Sequence, residues 1–140
     1  MDSQDHKALA LLAADCAERV LPRFEDERTT DTRPRRAVEA GRAWADGKIK
    51  MSQARTAAFD AHAAAREVDR AEARATARAA GHAAATAHVA THAPHAADYA
   101  IKAVAYASDS AATVAEERNW QYRRLPEHLR PMAFPNKRDG

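Results

Sequence analysis

The sequence predicts an all-α protein: a compact, alanine-rich bundle of five or six helices in a single domain spanning residues 1–140. Three observations predict it. Alanine occupies 38 of the 140 positions, whereas Leu, Ile, Val and Phe together supply 17; alanine is the strongest helix former, and methyl side chains let helix axes approach toward the short end of the usual range of about 8–10 Å. Apolar residues recur at spacings of three and four, the α-helical period. A chain poor in large apolar residues is expected to be disordered when its net charge is high, but here the net charge is +2, so an ordered fold is expected. The length suits one domain.

The first helix is expected from about Gln4 to Val20, with Leu9, Leu12, Ala13, Cys16, Ala17 and Val20 on one stripe. Pro22 and the charged run RFEDERTTD break that pattern. Pro34 suits the first turn of a second helix, with Thr32 before it as a cap; this helix carries Val38, Ala40, Ala43 and Trp44 and ends near Gly47. Ser52 is the expected N-cap of a third helix, which contains Ala54, Ala58, Phe59, His62 and Ala65. From Glu67 to about His92 the pattern is again helical, with Gly81 as an interruption. Pro94 removes a backbone donor and would clash with the carbonyl of Ala90 inside a continuous helix, so the chain either kinks there or starts a new helix running to Ala107. Asp109 or Ser110 then caps a last helix reaching Arg123. Residues 5–124 form the expected core, and the tail 125–140, with three prolines, is expected to pack irregularly on it. The alanine-rich segments show no fixed period, so no repeat architecture follows.

Charge is uneven along the chain. Residues 1–31 carry four basic and eight acidic side chains, residues 32–78 eleven and six, and the remainder seven and six. This polarity can steer a charged partner, but the basic excess expected of a DNA-coating protein is missing. Arg66, Arg70, Arg74 and Arg78 recur every four residues among Glu67, Asp69 and Glu72. Such a stripe reads as a solvated, self-paired helix face, and nucleic acid is not an expected partner. A single cysteine, Cys16, cannot form an intrachain disulfide and reads as a buried structural thiol. No basic, apolar leader and no membrane-length apolar run is present; a cytoplasmic protein is expected.

Four histidines, His82, His88, His92 and His95, punctuate the alanine-rich run at 81–100. Projected onto one ideal helix, His88, His92, His95, Tyr99, Lys102 and Tyr106 fall within an arc of about 80°, and His82 lies off it. Three readings stay open. His88 and His92, at i,i+4, could chelate one metal ion with His95 as a third ligand and Asp98 behind or beside it, although the H-E-x-x-H and Glu-x-x-His patterns are absent. An imidazole could serve as a general acid or base, but no Gly-rich phosphate loop or nucleophile elbow accompanies it, so neither a catalytic residue nor a cofactor is assigned. The favoured reading for His88 and His92 is a packed polar seam, in which the imidazoles satisfy one another and carboxylates such as Asp15, Glu18 or Asp60, since buried polar groups need partners.

The stretches DHKALALLAADCAERVLP, RPRRAVEAGRAWADGKI, ARAAGHAAATAHVATHAPHAADYAIKA and WQYRRLPEHLRP resemble the immunity-protein family numbered five of bacterial polymorphic-toxin systems. The resemblance runs from about residue 5 to residue 134. Its most specific parts are A-H-V-x-x-H-A at 87–93, Tyr99-Ala100 and W-Q-x-x-x-L-P-x-x-L-R at 120–130; Pro94 departs from the pattern. The resemblance implies an all-α protein that neutralises a cognate toxin by stoichiometric binding without turnover. Affinity in such a complex comes from aromatic and arginine anchors, for which Trp44, Trp120, Tyr122, Arg123 and Arg124 are candidates. The slight basic charge does not favour a nuclease as the toxin, the acidic segment 25–31 being the local exception. The alternative is a small-molecule- or metal-binding bundle using an inter-helix pocket lined by His88, His92, His95 and Tyr99. Homodimerisation through an alanine-rich face is a further expectation.

Overall fold

The computed structural model describes residues 1–135, all helix and connecting turns. Eight α-helices occur among them: α1 Ser3–Val20, α2 Pro22–Glu25, α3 Arg33–Ala45, α4 Met51–Ala65, α5 Ala71–Ala85, α6 Ala93–Ala107, α7 Ala111–Arg123 and α8 Arg130–Ala133. Two 3-10 turns, Ala90–His92 and Glu127–Leu129, precede α6 and α8. The helix count exceeds the expected five or six because two single-turn helices, α2 and α8, form around Pro22 and Pro131, residues that suit a first turn and not a helix interior. None of the described helices is long and apolar enough to cross a membrane.

The helix ends follow local chemistry where a local cap exists. Asp2 Oδ1 accepts from the Asp5 N–H at 2.8 Å, and Ser110 Oγ from the Thr113 N–H at 3.2 Å. Ser52, the expected cap of α4, is instead inside it: Lys50 is the N-cap, and its N–H donates to Gln53 Oε1 at 2.9 Å. The stretch expected to be helical from Glu67 to His92 is helical only from Ala71 to Ala85. Its start is fixed from afar, since Glu27 accepts from the N–H groups of Asp69 (3.3 Å) and Arg70 (3.0 Å), placing a carboxylate at the positive end of the α5 dipole.

Helix α5 is the centre of the bundle. It packs against α4, α6, α3 and α1. Gly81 does not interrupt it. Small side chains fill its inner faces: Ala73, Ala77, Ala80, Ala83 and Ala84 are buried completely, as is Thr76, whose hydroxyl donates to the Glu72 carbonyl at 2.7 Å. A close approach occurs at Gly41 of α3, where an added Cβ would stand 3.2 Å from the Ala83 carbonyl oxygen of α5. A second, smaller cluster under α2 is built on Phe24, fully buried among Ala64, Ala65, Val68, Ala73 and Ala77. Cys16 is buried in the main cluster, and burial pushes its thiol far above the usual range, with Asp15 adding to the effect; it is an inert packing residue.

Helix α7 lies on α6 through a hydrogen bond from Gln121 Nε2 to the Ala97 carbonyl at 2.9 Å. It is tied to α1 by a bidentate ion pair of Arg19 with the buried Glu117, at 2.8 and 2.9 Å. The segment after α7 is more regular than the sequence suggests. Leu125, Leu129 and Ala133 are buried in the main cluster, and Arg130 Nε donates to the Tyr122 carbonyl at 3.0 Å. The last part of the expected tail, residues 136–140, lies outside the described residues.

Candidate functional site

After α5 the backbone leaves the helix at Thr86 and passes through extended Val89 (φ −140°, ψ 122°) before the Ala90–His92 turn. Pro94 then occupies the first turn of α6, as its missing N–H allows. This break reverses the chain and brings His92, His95 and Tyr99 against His82 of α5. From the other side α4 contributes His62. The five rings form one cluster with His82 at its hub. The His82 ring centroid lies 5.0 Å from His62, 5.2 Å from both His92 and His95, and 5.4 Å from Tyr99, on which it stacks at 8°.

Gly81 is what admits His62. A Cβ there would stand 2.5, 2.6 and 2.8 Å from three atoms of the His62 ring. Gly81→Ala alone is therefore expected to drive the imidazole out of the cluster. In a His62→Ala background the same change meets no ring and gains helix propensity, about 1 kcal/mol. Paired denaturation curves of the four proteins check this; an equal effect of Gly81→Ala in both backgrounds would contradict it.

Three of the imidazoles, His62, His82 and His92, are shifted toward the neutral form. His82 Nδ1 and His92 Nδ1 are 3.0 Å apart, so one donates and the other must be unprotonated. Burial first, and then the neighbouring His62, His92, His95 and Arg78, push the His82 pKa down to about 3. His62 is lowered by burial and by Arg78, His92 and Arg66; His92 is lowered by burial and by His95 and His88. Between pH 6.5 and about 3 the unfolded chain binds protons at His82 that the folded chain refuses. Stability is thus complete above the unfolded value and falls as pH drops through that window. At pH 5, above the range where the ion-paired carboxylates titrate, we expect His82 to cost about 1 kcal/mol after allowance for solvent screening, or roughly 3–5 °C in melting temperature. His82→Leu should flatten the dependence between pH 7.5 and 5; an unchanged slope would show that other groups cause it.

The expected seam is corrected in two respects. His88 is exposed and outside the ring cluster, while His82, placed off the arc, is its hub. The cause is the backbone break at 86–92, which invalidates a single-helix projection. Nor do the expected carboxylates reach the imidazoles. Asp15 and Glu18 accept from Arg42 at 2.8 and 2.7 Å, Asp15 also accepts from Arg124 at 2.6 Å, and Asp60 is exposed. His88, His92 and His95 do not converge as a metal triad, and among the described residues no group of three or more His, Cys, Asp and Glu side chains is placed to hold one ion.

The other candidates are dispersed. Trp120 is half-buried, with the Arg19 guanidinium 4.0 Å and that of Arg124 5.3 Å from its ring centroid. Tyr122 packs against Phe134 at 5.6 Å and under Arg130 at 4.5 Å. Trp44 packs against His6 at 4.6 Å, and Arg123 is exposed. The arginine stripe is also corrected. Arg74 donates to the Asp69 carbonyl at 3.2 Å, Glu67 is held by Arg33, and among the described residues no carboxylate pairs with Arg66 or Arg78. Sequence reasoning missed His62 and the hub role of His82. The signal was the pair Gly81–His82, a glycine in a helix in which nine of the fifteen residues are alanine.

No curated protein and no solved structure matches the chain. One family model does, that of the Imm-5 like putative immunity protein, over residues 1–128. That span takes in all of α1 to α7, with the ring cluster at their outer face, so the chain belongs to the Imm-5 like immunity-protein family.

Proposed function

We propose that this protein neutralises a cognate toxin by binding it stoichiometrically, without turnover. The observation that carries the reading is membership of an immunity-protein family over residues 1–128. The bundle supports it physically. A methyl-packed core leaves little room for rearrangement, so surface side chains are presented ready-made and the ordering cost of association is reduced. The exposed residues include large apolar and cationic side chains of the kind that anchor protein interfaces. The test is co-expression in a host that the toxin kills, using the protein encoded beside this one as the toxin. Survival is expected only when this chain is produced at a level comparable to the toxin, and death at equal levels of both would overturn the reading.

A second reading, small-molecule binding, is favoured by one observation. An open cavity of about 520 Å³ lies between α6, α7 and the segment through α8, lined by His95, Asp98, Ile101, Arg118 and Phe134 among others. It differs from the pocket expected from the sequence, since of His88, His92, His95 and Tyr99 only His95 reaches it. A thermal-shift screen of metabolites against wild type and Arg118→Ala tests this; a stabilising compound that loses its effect in the variant would support it.

A further inference from the structure

The arginine stripe of α5, unexplained by self-pairing, acquires a role once the three helices α4, α5 and α6 are considered as one layer. Their inner sides are buried against α1 and α3. On α4, Phe59, His62 and Arg66 share one flank at spacings of three and four. On α5, Arg74, Arg78 and His82 form the outward stripe. On α6, His95, Tyr99, Lys102 and Tyr106 do the same. The ring cluster therefore sits in the middle of a broad outer face with cations around it: Arg66 toward α4, Arg78 above the Tyr99 ring at 5.9 Å, and Lys102 over the same ring at 4.7 Å. Apolar area flanks them, since Phe59 is 61% and Tyr106 58% exposed.

Arg66 and Arg78 on this face are uncompensated among the described residues, as are Arg23, Arg36 and Arg55 elsewhere, while Lys102 is paired with Asp98. Arg19, Arg33, Arg35, Arg42 and Arg124 all hold carboxylates at hydrogen-bond distance. Arg66 and Arg78 hold none among the described residues, and Arg78 is half-buried. Of the neighbouring carboxylates, Glu67 is taken by Arg33, and Asp98 contacts Lys102 at 3.3 Å from the α7 side. Arginine and aromatic side chains around a rigid centre are the chemistry of interface anchors, and unpaired cations set the sign of the partner.

We infer that the outer face of α4, α5 and α6, centred on Arg66, Arg78 and Tyr99, is the surface that docks a carboxylate-rich segment of the toxin. This rests on the immunity reading above. A nucleic acid is the lesser fit, because the chain as a whole is close to neutral at +2 and the face alternates its charges with exposed apolar rings, whereas backbone phosphates call for a continuous basic track.

The test uses the full chain, its Arg66→Glu/Arg78→Glu variant, and an off-face control of equal charge change, Arg23→Glu/Arg36→Glu, all checked for native melting behaviour. In a first arm, fluorescence anisotropy follows a labelled peptide of alternating Glu and Leu, with single-stranded DNA of equal charge as comparison. Salt-sensitive peptide binding that drops at least tenfold in Arg66→Glu/Arg78→Glu and persists in the control is expected. No binding by wild type, an unchanged affinity in the on-face variant, or tighter binding of DNA than of peptide would overturn the assignment. The second arm is survival under the toxin, where wild type and control should protect and the on-face variant should not. If all three protect, the docking face is wrong and the immunity reading stands. If none protects while the peptide arm behaves as expected, the immunity reading fails and the acidic-segment face survives it.

Discussion

Phe24→Ala is expected to destabilise the folded protein by about 3–5 kcal/mol, a large share of the stability of a domain this size. Phe24 is completely buried, and its neighbours in the cluster are four alanines and Val68. Methyl groups on rigid helices cannot swing into the vacated space, so the cavity would stay close to its full size and the loss would lie toward the upper end of the range. The cluster also joins α2 to the start of α5, and Glu27, just beyond α2, accepts from the Asp69 and Arg70 N–H groups that lead into that helix. Fraying of α5 at that end should accompany the loss. Urea denaturation checks the energy and amide exchange of residues 69–74 the fraying; a change below about 1 kcal/mol would show that the cluster is not packed as described.

Gly41→Leu should cost about 1–3 kcal/mol or more by overpacking. The carbonyl oxygen of Ala83 already stands 3.2 Å from where the first side-chain carbon would lie, and that oxygen belongs to the backbone of the central helix. Helix α3 would have to move away from α5, and α1 and α4 contact both. Gly41→Ala should do less, because the crowding of one methyl is offset by a helix-propensity gain of about 1 kcal/mol. Comparing the two by thermal denaturation separates spacing from propensity. Equal effects would mean that the helices are free to part.

Where structure is dictated by neighbours in sequence, it was legible in the sequence. The bounds of α1, the Pro34 entry to α3, the restart at Pro94 and the Ser110 cap all depend on residues within one turn of the feature. What escaped depends on contacts across the fold. The start of α5 is set by Glu27, 42 and 43 residues away from the amides it caps. Gly81 looks like a helix interruption until the His62 ring of α4 is seen to occupy the space of its missing side chain. His82 and His92 meet because the backbone reverses between them, which no single-helix projection contains. The family resemblance was carried by short motifs, yet the residues that make up its polar centre, His62 and His82 with Tyr99, come from three helices. The same limit applied to charge. Spacing suggested that the arginines from 66 to 78 pair with adjacent acids, whereas Glu67 turns to Arg33, and neither Arg66 nor Arg78 holds a carboxylate among the described residues.

The most direct measurement is a titration of the purified toxin's activity with purified protein at toxin concentrations well above the dissociation constant. A linear fall to zero at one equivalent, with recovery of both proteins unmodified in a single complex, is the expected result. Loss of toxin activity at a small fraction of an equivalent would reveal turnover, and undiminished activity at excess would reveal no neutralisation; either would contradict stoichiometric binding.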